Sequence, residues 1–405
     1  MQLQNFIVRE PLLNMQERVV GYELRWQHAD ATGATPDVLH ARQLLQFVAA
    51  QLAEKATDAA IGDYRLFLQI PAALLKTDLP VGLPSTGVVF ALSQDEVLDD
   101  EVIDAMKQLH AQGYGFSFRS SDLSAFDKSL LPLLSYIEVS NILGDFEAQI
   151  EVLHGFNVPS SVRIIARDIT SWEQFERCTL ANHYAFAGNL HLLPRPGVLN
   201  RELNPAQTMI LQLMEMVRNG EDVPKLEGIL KRDAALSYKL LRYINSAGFG
   251  LGCEVQSLRH AVTLLGYSPL YRWLGVLLAA ATTTGYSPVL MQAAVIRGRF
   301  AELLGNSFLP KHDAENLFVT GMFSLLDRLL GMPMDKVLEK IQLSDAVSQA
   351  LLSREGIYGP FLALAEACEL DYSRIEPMAT SLCIGANQVN EAHLAAMSWA
   401  QALKL

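Results

Sequence analysis

Apolar and polar residues alternate with a period of two in short runs through roughly the first 200 residues, the pattern of half-buried strands. The runs are Phe6–Arg9, Val19–Leu24, Leu66–Ile70, Val88–Leu92, Phe116–Arg119, Tyr136–Val139, Val162–Ala166 and Tyr184–Ala187. Only Asn14-Met15-Gln16-Glu17 lies between the first two, and its turn-forming character predicts a hairpin. Later strands are separated by helical patterns at Val38–Lys55, Glu96–Gln112, Phe146–Phe156 and Ser171–Ala181. Eight strands with helices between most of them predict a (β/α) barrel of TIM type whose opening strand runs antiparallel. An open doubly wound sheet satisfies the same count.

Leu193-Pro194-Arg195-Pro196-Gly197 then punctuates the chain, and two prolines and a glycine so close together predict a domain boundary. Beyond it the two-residue period stops. From Pro205 onward the spacing is helical: Thr208, Leu211 and Met214 share one face. Further helices are expected at Leu226–Lys231, Leu236–Ile244, Leu258–Leu265, Tyr271–Ala280, Val289–Leu304, Ala314–Leu330 and Ala346–Leu352. The chain therefore reads as an α/β domain over 1–197 and an all-α domain over 198–405.

Half of the 405 residues are hydrophobic and 19% are charged, as in a well-packed globular protein. A net charge of −12 argues against nucleic acid as a partner, because phosphate neutralisation needs a basic surface. Cys178, Cys253, Cys368 and Cys383 are scattered and form no CxxC pair, as expected of reduced cytoplasmic thiols. The first residues lack a signal-peptide pattern, and the apolar run Leu274–Ala281 is far shorter than a membrane span, so no membrane association is expected.

Several stretches are specific enough to name a family. Val19-Val20-Gly21-Tyr22-Glu23-Leu24 is similar to the opening motif of EAL cyclic di-GMP phosphodiesterases. Arg232-Asp233-Ala234-Ala235-Leu236-Ser237-Tyr238-Lys239-Leu240-Leu241 followed by Asn245-Ser246-Ala247 resembles the HDOD signature, as do Val255–Leu258 and Leu264-Leu265-Gly266. Gly321–Leu330 resembles the segment found when an HDOD domain follows an EAL domain. Together these stretches resemble the EAL-HDOD signal-transduction proteins, and the resemblance implies a degenerate EAL domain at 1–197 and an HDOD domain at 198–405.

Active EAL barrels are similar to two-metal hydrolases, in which carboxylates at the strand ends hold divalent ions. Carried over residue by residue, the resemblance keeps Glu23 but puts Gln69 where the family has Asn. Ala91 and Gln94 stand at its fourth-strand glutamates, and Arg119-Ser120 at its paired aspartates. Its Lys-x-Asp falls on Glu138 and Ser140, and its next acidic motif on Arg167 through Thr170. No metal or other cofactor is expected. Relaxation after loss of activity is one reading of these changes. The other is that Arg119 and Arg167 replace the metals electrostatically, pairing with Glu23 and Glu138 and closing the mouth to metal.

The helical domain reads similarly. The family's His-Asp dipeptide falls on Ser324-Leu325, whereas the literal His312-Asp313 looks like a solvated helix start. Asp327 is read as structurally paired and Trp273 as packing. The glycines of Gly248-Phe249-Gly250-Leu251-Gly252 are read as a turn between helices, with Asn245 satisfying its backbone. No Ser-His-Asp or Cys-His arrangement has support in the sequence. These readings predict a non-catalytic cytoplasmic regulator acting by protein–protein interaction on unidentified signalling partners, and a homodimer is compatible. A non-hydrolysing receptor for cyclic di-GMP or a related nucleotide is the alternative, with an active phosphodiesterase behind both.

Overall fold

A computed structural model describes residues 5–403 apart from 28–34, 55–63, 95, 97–98, 121, 124–125, 141–145, 157, 181–184, 194–201, 231, 246–253, 282–286, 342 and 371. The chain divides into two compact units, Met1–Leu193 and Pro194–Leu405. Gly248–Gly252, Pro194–Gly197 and Cys253, all singled out in the sequence, lie outside the described residues.

The first unit is a closed eight-stranded barrel: β1 Ile7–Leu13, β2 Val19–Trp26, β3 Arg65–Gln69, β4 Val88–Ser93, β5 Gly115–Ser120, β6 Tyr136–Ser140, β7 Arg163–Arg167 and β8 Ala185–Ala187. Strands β2 to β8 pair in parallel, while β1 runs antiparallel to both β2 and β8. Closure excludes the open doubly wound sheet. The reversed strand follows from the tight turn before β2. Asn14 Oδ1 accepts from Gln16 N at 3.0 Å and Arg18 N at 2.9 Å, and Glu17 takes a left-handed φ of 55°. Gly21 faces Arg65 so closely that a Cβ there would lie 2.5 Å from the Arg65 carbonyl oxygen, so β2 and β3 require glycine at that position.

Alternate residues of each strand point into the barrel. An apolar layer of Leu12, Phe67, Val89, Tyr136, Ile165, Ala185 and Ala187 fills the middle. Two residues further along the same inward phase come Glu23 from Gly21, Gln69 from Phe67, Glu138 from Tyr136 and Arg167 from Ile165. The apolar layer therefore floors a polar one at the carboxyl ends of the strands, where barrels of this architecture place their sites. Helices Val38–Glu54, Asp100–Ala111, Phe146–His154 and Trp172–Leu180 follow β2, β4, β6 and β7.

The second unit is helical throughout its described residues. Ala234–Ile244 starts at Asp233, whose carboxylate accepts from Leu236 N at 2.9 Å, and ends at Asn245. Asn245 brackets the next segment, donating to Val255 O at 2.8 Å and accepting from Val255 N at 2.7 Å. Trp273 is buried and stacks on Tyr243, a packing role as expected. The single helix expected over Ala314–Leu330 is instead two, Lys311–Phe323 and Leu326–Leu330, broken at Ser324-Leu325. Helices Gly359–Leu370, Ile375–Ser381 and Ala386–Ala402 carry the helical pattern on toward the C-terminus. Among the described residues no helix is long and apolar enough to cross a membrane.

Candidate functional site

The carboxyl-end layer of the barrel is an ion-pair cluster. Arg119, on β5, places Nη2 at 3.0 Å from Glu23 Oε1 and from Glu138 Oε2, and its Nη1 donates to Gln69 Oε1 at 3.0 Å. Arg167, on β7, places Nη1 at 3.0 Å from Glu138 Oε2 and Nη2 at 2.7 Å from Glu23 Oε2. Its Nη2 also reaches Glu10 Oε2 at 2.9 Å. Ser117 completes the shell of Glu138, donating to Oε1 at 2.6 Å. The pairing expected of the two arginines with Glu23 and Glu138 is thus present.

All four of these charged side chains are buried, so each depends on the others. Burial pushes the Glu23 carboxyl up, but Arg119 and Arg167, with Arg25, outweigh it and hold the group at about 2. Burial opposes the charge of Arg167 as well, and Glu23, Glu138 and Glu10 overcome it, raising the group well above the ordinary arginine value. Three carboxylates and two guanidiniums leave the cluster one negative charge.

Around this centre the other sequence candidates separate. Ser140 donates to Asp168 Oδ2 at 2.6 Å, and Ser120 donates to Gln94 Oε1 at 2.5 Å. Ala91 is buried without a polar group, and Thr170 turns away to bond Gln174. Two members, Glu10 and Ser117, were missed. Glu10 lies on β1, ahead of the opening motif. Ser117 precedes Arg119 on the same inward phase. Ser93 accepts from Gln69 Nε2 at 2.9 Å. The antiparallel hairpin was the available signal for Glu10, since it sets Glu10 opposite Glu23. Asp168 stands out by its backbone, a non-glycine residue at φ 60° beside Arg167.

The family's two-metal chemistry does not fit these residues. A divalent ion needs several free carboxylate oxygens, and here guanidinium nitrogens sit at 2.7–3.0 Å from those of Glu10, Glu23 and Glu138. Among the described residues no group of three or more His, Cys, Asp or Glu is arranged to hold a metal ion.

A second arginine cluster occupies the helical unit where the family's dipeptide falls. Ser324 Oγ accepts from Arg297 Nη1 at 2.8 Å, and Leu325 is buried. Arg297 also binds Glu369 at 2.5 Å and Glu366 at 3.2 Å, while Arg354 takes both Glu366 oxygens at 2.8 Å. Asp327 lies close by. Burial pushes its carboxyl up against the opposing pull of Arg328, Arg297 and Arg354. His312-Asp313 opens the helix Lys311–Phe323, and Asp313 Oδ1 accepts from Tyr358 Oη at 2.8 Å.

An HDOD domain model matches residues 203–334. The cyclic di-GMP phosphodiesterase CdgJ of Vibrio cholerae is 25% identical over 401 residues, covering 98% of this chain and 92% of its own length. The protein YuxH of Bacillus subtilis is 25% identical over 385 residues, covering 90% of each. The structure of the PaMucR phosphodiesterase in complex with c-di-GMP matches 48% of this chain and 93% of its own, with a TM-score of 0.38 and 18% identity. The expectation of a non-catalytic regulator or non-hydrolysing receptor, and with it the exclusion of an enzyme, is corrected by the relative from Vibrio cholerae. A chain alike from end to end bears the name of a cyclic di-GMP phosphodiesterase. With the HDOD match over residues 203–334, the closed barrel with its reversed first strand and this end-to-end likeness, the chain is similar to the EAL-HDOD signal-transduction proteins.

Proposed function

We propose that the chain is a cyclic di-GMP phosphodiesterase whose barrel mouth works through arginines. The observation that carries this reading is the convergence of Arg119 and Arg167 at the carboxyl end of a barrel whose end-to-end relative is named for that activity. Guanidinium groups bind phosphate oxygens in pairs and stabilise the charge that builds on a phosphodiester under attack. Glu23, held at about 2, is a weak base, so its role is to anchor both arginines. Asp168 is the better-placed proton acceptor, because it is only partly buried and is oriented by Ser140. Water attacks phosphorus as its proton passes to Asp168. The bond to one bridging ribose oxygen breaks, Asp168 returns its proton to that oxygen, and the cyclic dinucleotide opens to a linear one. Cys178, Cys368 and Cys383 are not joined in disulfides, which supports a cytoplasmic setting for this reaction.

The test is incubation of the full chain with cyclic di-GMP, with and without a chelator, following the linear dinucleotide by chromatography. Turnover that survives the chelator and is lost in Arg119→Ala and Arg167→Ala is expected. No turnover above an enzyme-free blank overturns the proposal.

A further inference from the structure

The opposite end of the same barrel holds a cavity of about 290 Å³. Its floor is Val89 and Tyr136 of the apolar layer, so it opens at the amino-terminal ends of the strands. Arg65, His110, Ser135, Ser161 and Arg163 stand around it. Arg65 is the first residue of β3 and Arg163 the first of β7. Each lies four residues before a member of the opposite mouth, Gln69 and Arg167, on the same inward phase. Four residues of strand span about 13 Å, so the two sites are separate.

The two ends differ in the residues that line them. At the carboxyl end three glutamates neutralise two arginines. At the amino-terminal end, no residue lining the cavity is acidic, although the whole chain carries a net charge of −12. Two guanidiniums, an imidazole and two hydroxyls around one concavity form a donor set for an anion. The frame is fixed by the sheet. Arg163 N donates to Ser135 O at 3.0 Å, and Tyr136 pairs with Arg163 in register.

We propose that this cavity binds the phosphate group of a small molecule, free or esterified to a sugar. Its volume lies at the lower end of the range for ligand pockets, room for a sugar phosphate and too little for a dinucleotide. The inference does not depend on the activity assigned to the other mouth.

The test is calorimetric titration of the full chain with ribose 5-phosphate, inorganic phosphate and ribose. Saturable binding of ribose 5-phosphate at or below about 1 mM, with none of ribose, is expected. Arg65→Gln and Arg163→Gln each weaken it at least tenfold, and His110→Gln weakens it less. Both arginines are exposed, so an unchanged melting temperature confirms that the variants fold. Equal affinity for inorganic phosphate supports the site with the free ion as its ligand. Weaker affinity supports the sugar ester. Absence of saturable heat, equal binding of ribose, or affinity unchanged in both arginine variants overturns it.

Discussion

Glu10 and Glu23 face each other directly across the β1–β2 ladder, and one nitrogen of Arg167 joins them, 2.9 Å from Glu10 Oε2 and 2.7 Å from Glu23 Oε2. Like charges placed opposite one another in a ladder destabilise it. The reversed first strand, which distinguishes this barrel, thus creates a repulsion that a residue on β7 relieves.

Removing that cation should be costly. Arg167→Met removes the guanidinium that Glu10, Glu23 and Glu138 share, and breaking a buried pair on one side costs about 3–5 kcal/mol. Denaturant unfolding, read with a probe in the barrel, should show that loss. Adding Glu23→Gln to Arg167→Met should recover part of it, because the uncompensated charge is gone. A double variant no more stable than Arg167→Met would show that the arginine acts through packing.

Acid should expose the same dependence. The Glu23 carboxyl, ordinarily near 4.5, is held at about 2 in the folded chain. A depressed carboxyl contributes stability that is full above the unfolded value and is lost as pH falls through the folded one. The barrel should therefore lose stability between about pH 5 and pH 2, by a few kcal/mol from this group. Glu23→Gln should flatten the slope of melting temperature against pH in that window. An unchanged slope would assign the acid sensitivity elsewhere.

How far the site could be read in advance follows from these residues. A strict two-residue alternation carried Glu23, Arg119, Glu138 and Arg167 onto one inward phase, and strand ends in a barrel converge, so their pairing was legible. Glu10 was not, because attention began at the Val19 motif and its role depends on β1 running backwards. In the helical unit the run Met322-Phe323-Ser324-Leu325-Leu326 carries no proline or glycine, so nothing local announced the break. The cause is tertiary: Ser324 accepts from Arg297, a residue 27 positions earlier. Arg297 meets Glu369 across 72 residues, and periodicity carries no information on such a pair.

Glycine is required in the helical unit for a comparable reason. A Cβ at Gly321 would lie 2.7 Å from Arg297 O and 2.8 Å from Gly298 Cα, where two helices touch through backbone. Gly321→Ala should cost about 1–3 kcal/mol through overpacking. Gly228, inside the helix Val223–Leu230, meets nothing within 4 Å. Gly228→Ala should stabilise by up to about 1 kcal/mol through helix propensity. Paired thermal melts of the two variants check this, and shifts of the same sign would contradict it.

Asp168 offers a separation of chemistry from stability. Its φ of 60° is a conformation that asparagine tolerates about as well as aspartate, and its Oδ2 accepts from Ser140 at 2.6 Å. In Asp168→Asn an amide oxygen can take over that acceptor role, while the capacity to take a proton from water disappears. Stability should stay within about 0.5 kcal/mol, the scale of an unremarkable surface change. Turnover of cyclic di-GMP should fall by about 100-fold or more, the contribution of a positioned general base. The two readouts, melting temperature and rate of linear product formation, are independent. Asp168→Gly removes both the hydrogen bond and the proton acceptor, so it should match Asp168→Asn in rate whatever it does to stability. A rate unchanged in both variants would remove Asp168 from the reaction, leaving Glu10, the outermost carboxylate bound to Arg167, as the next proton acceptor to test.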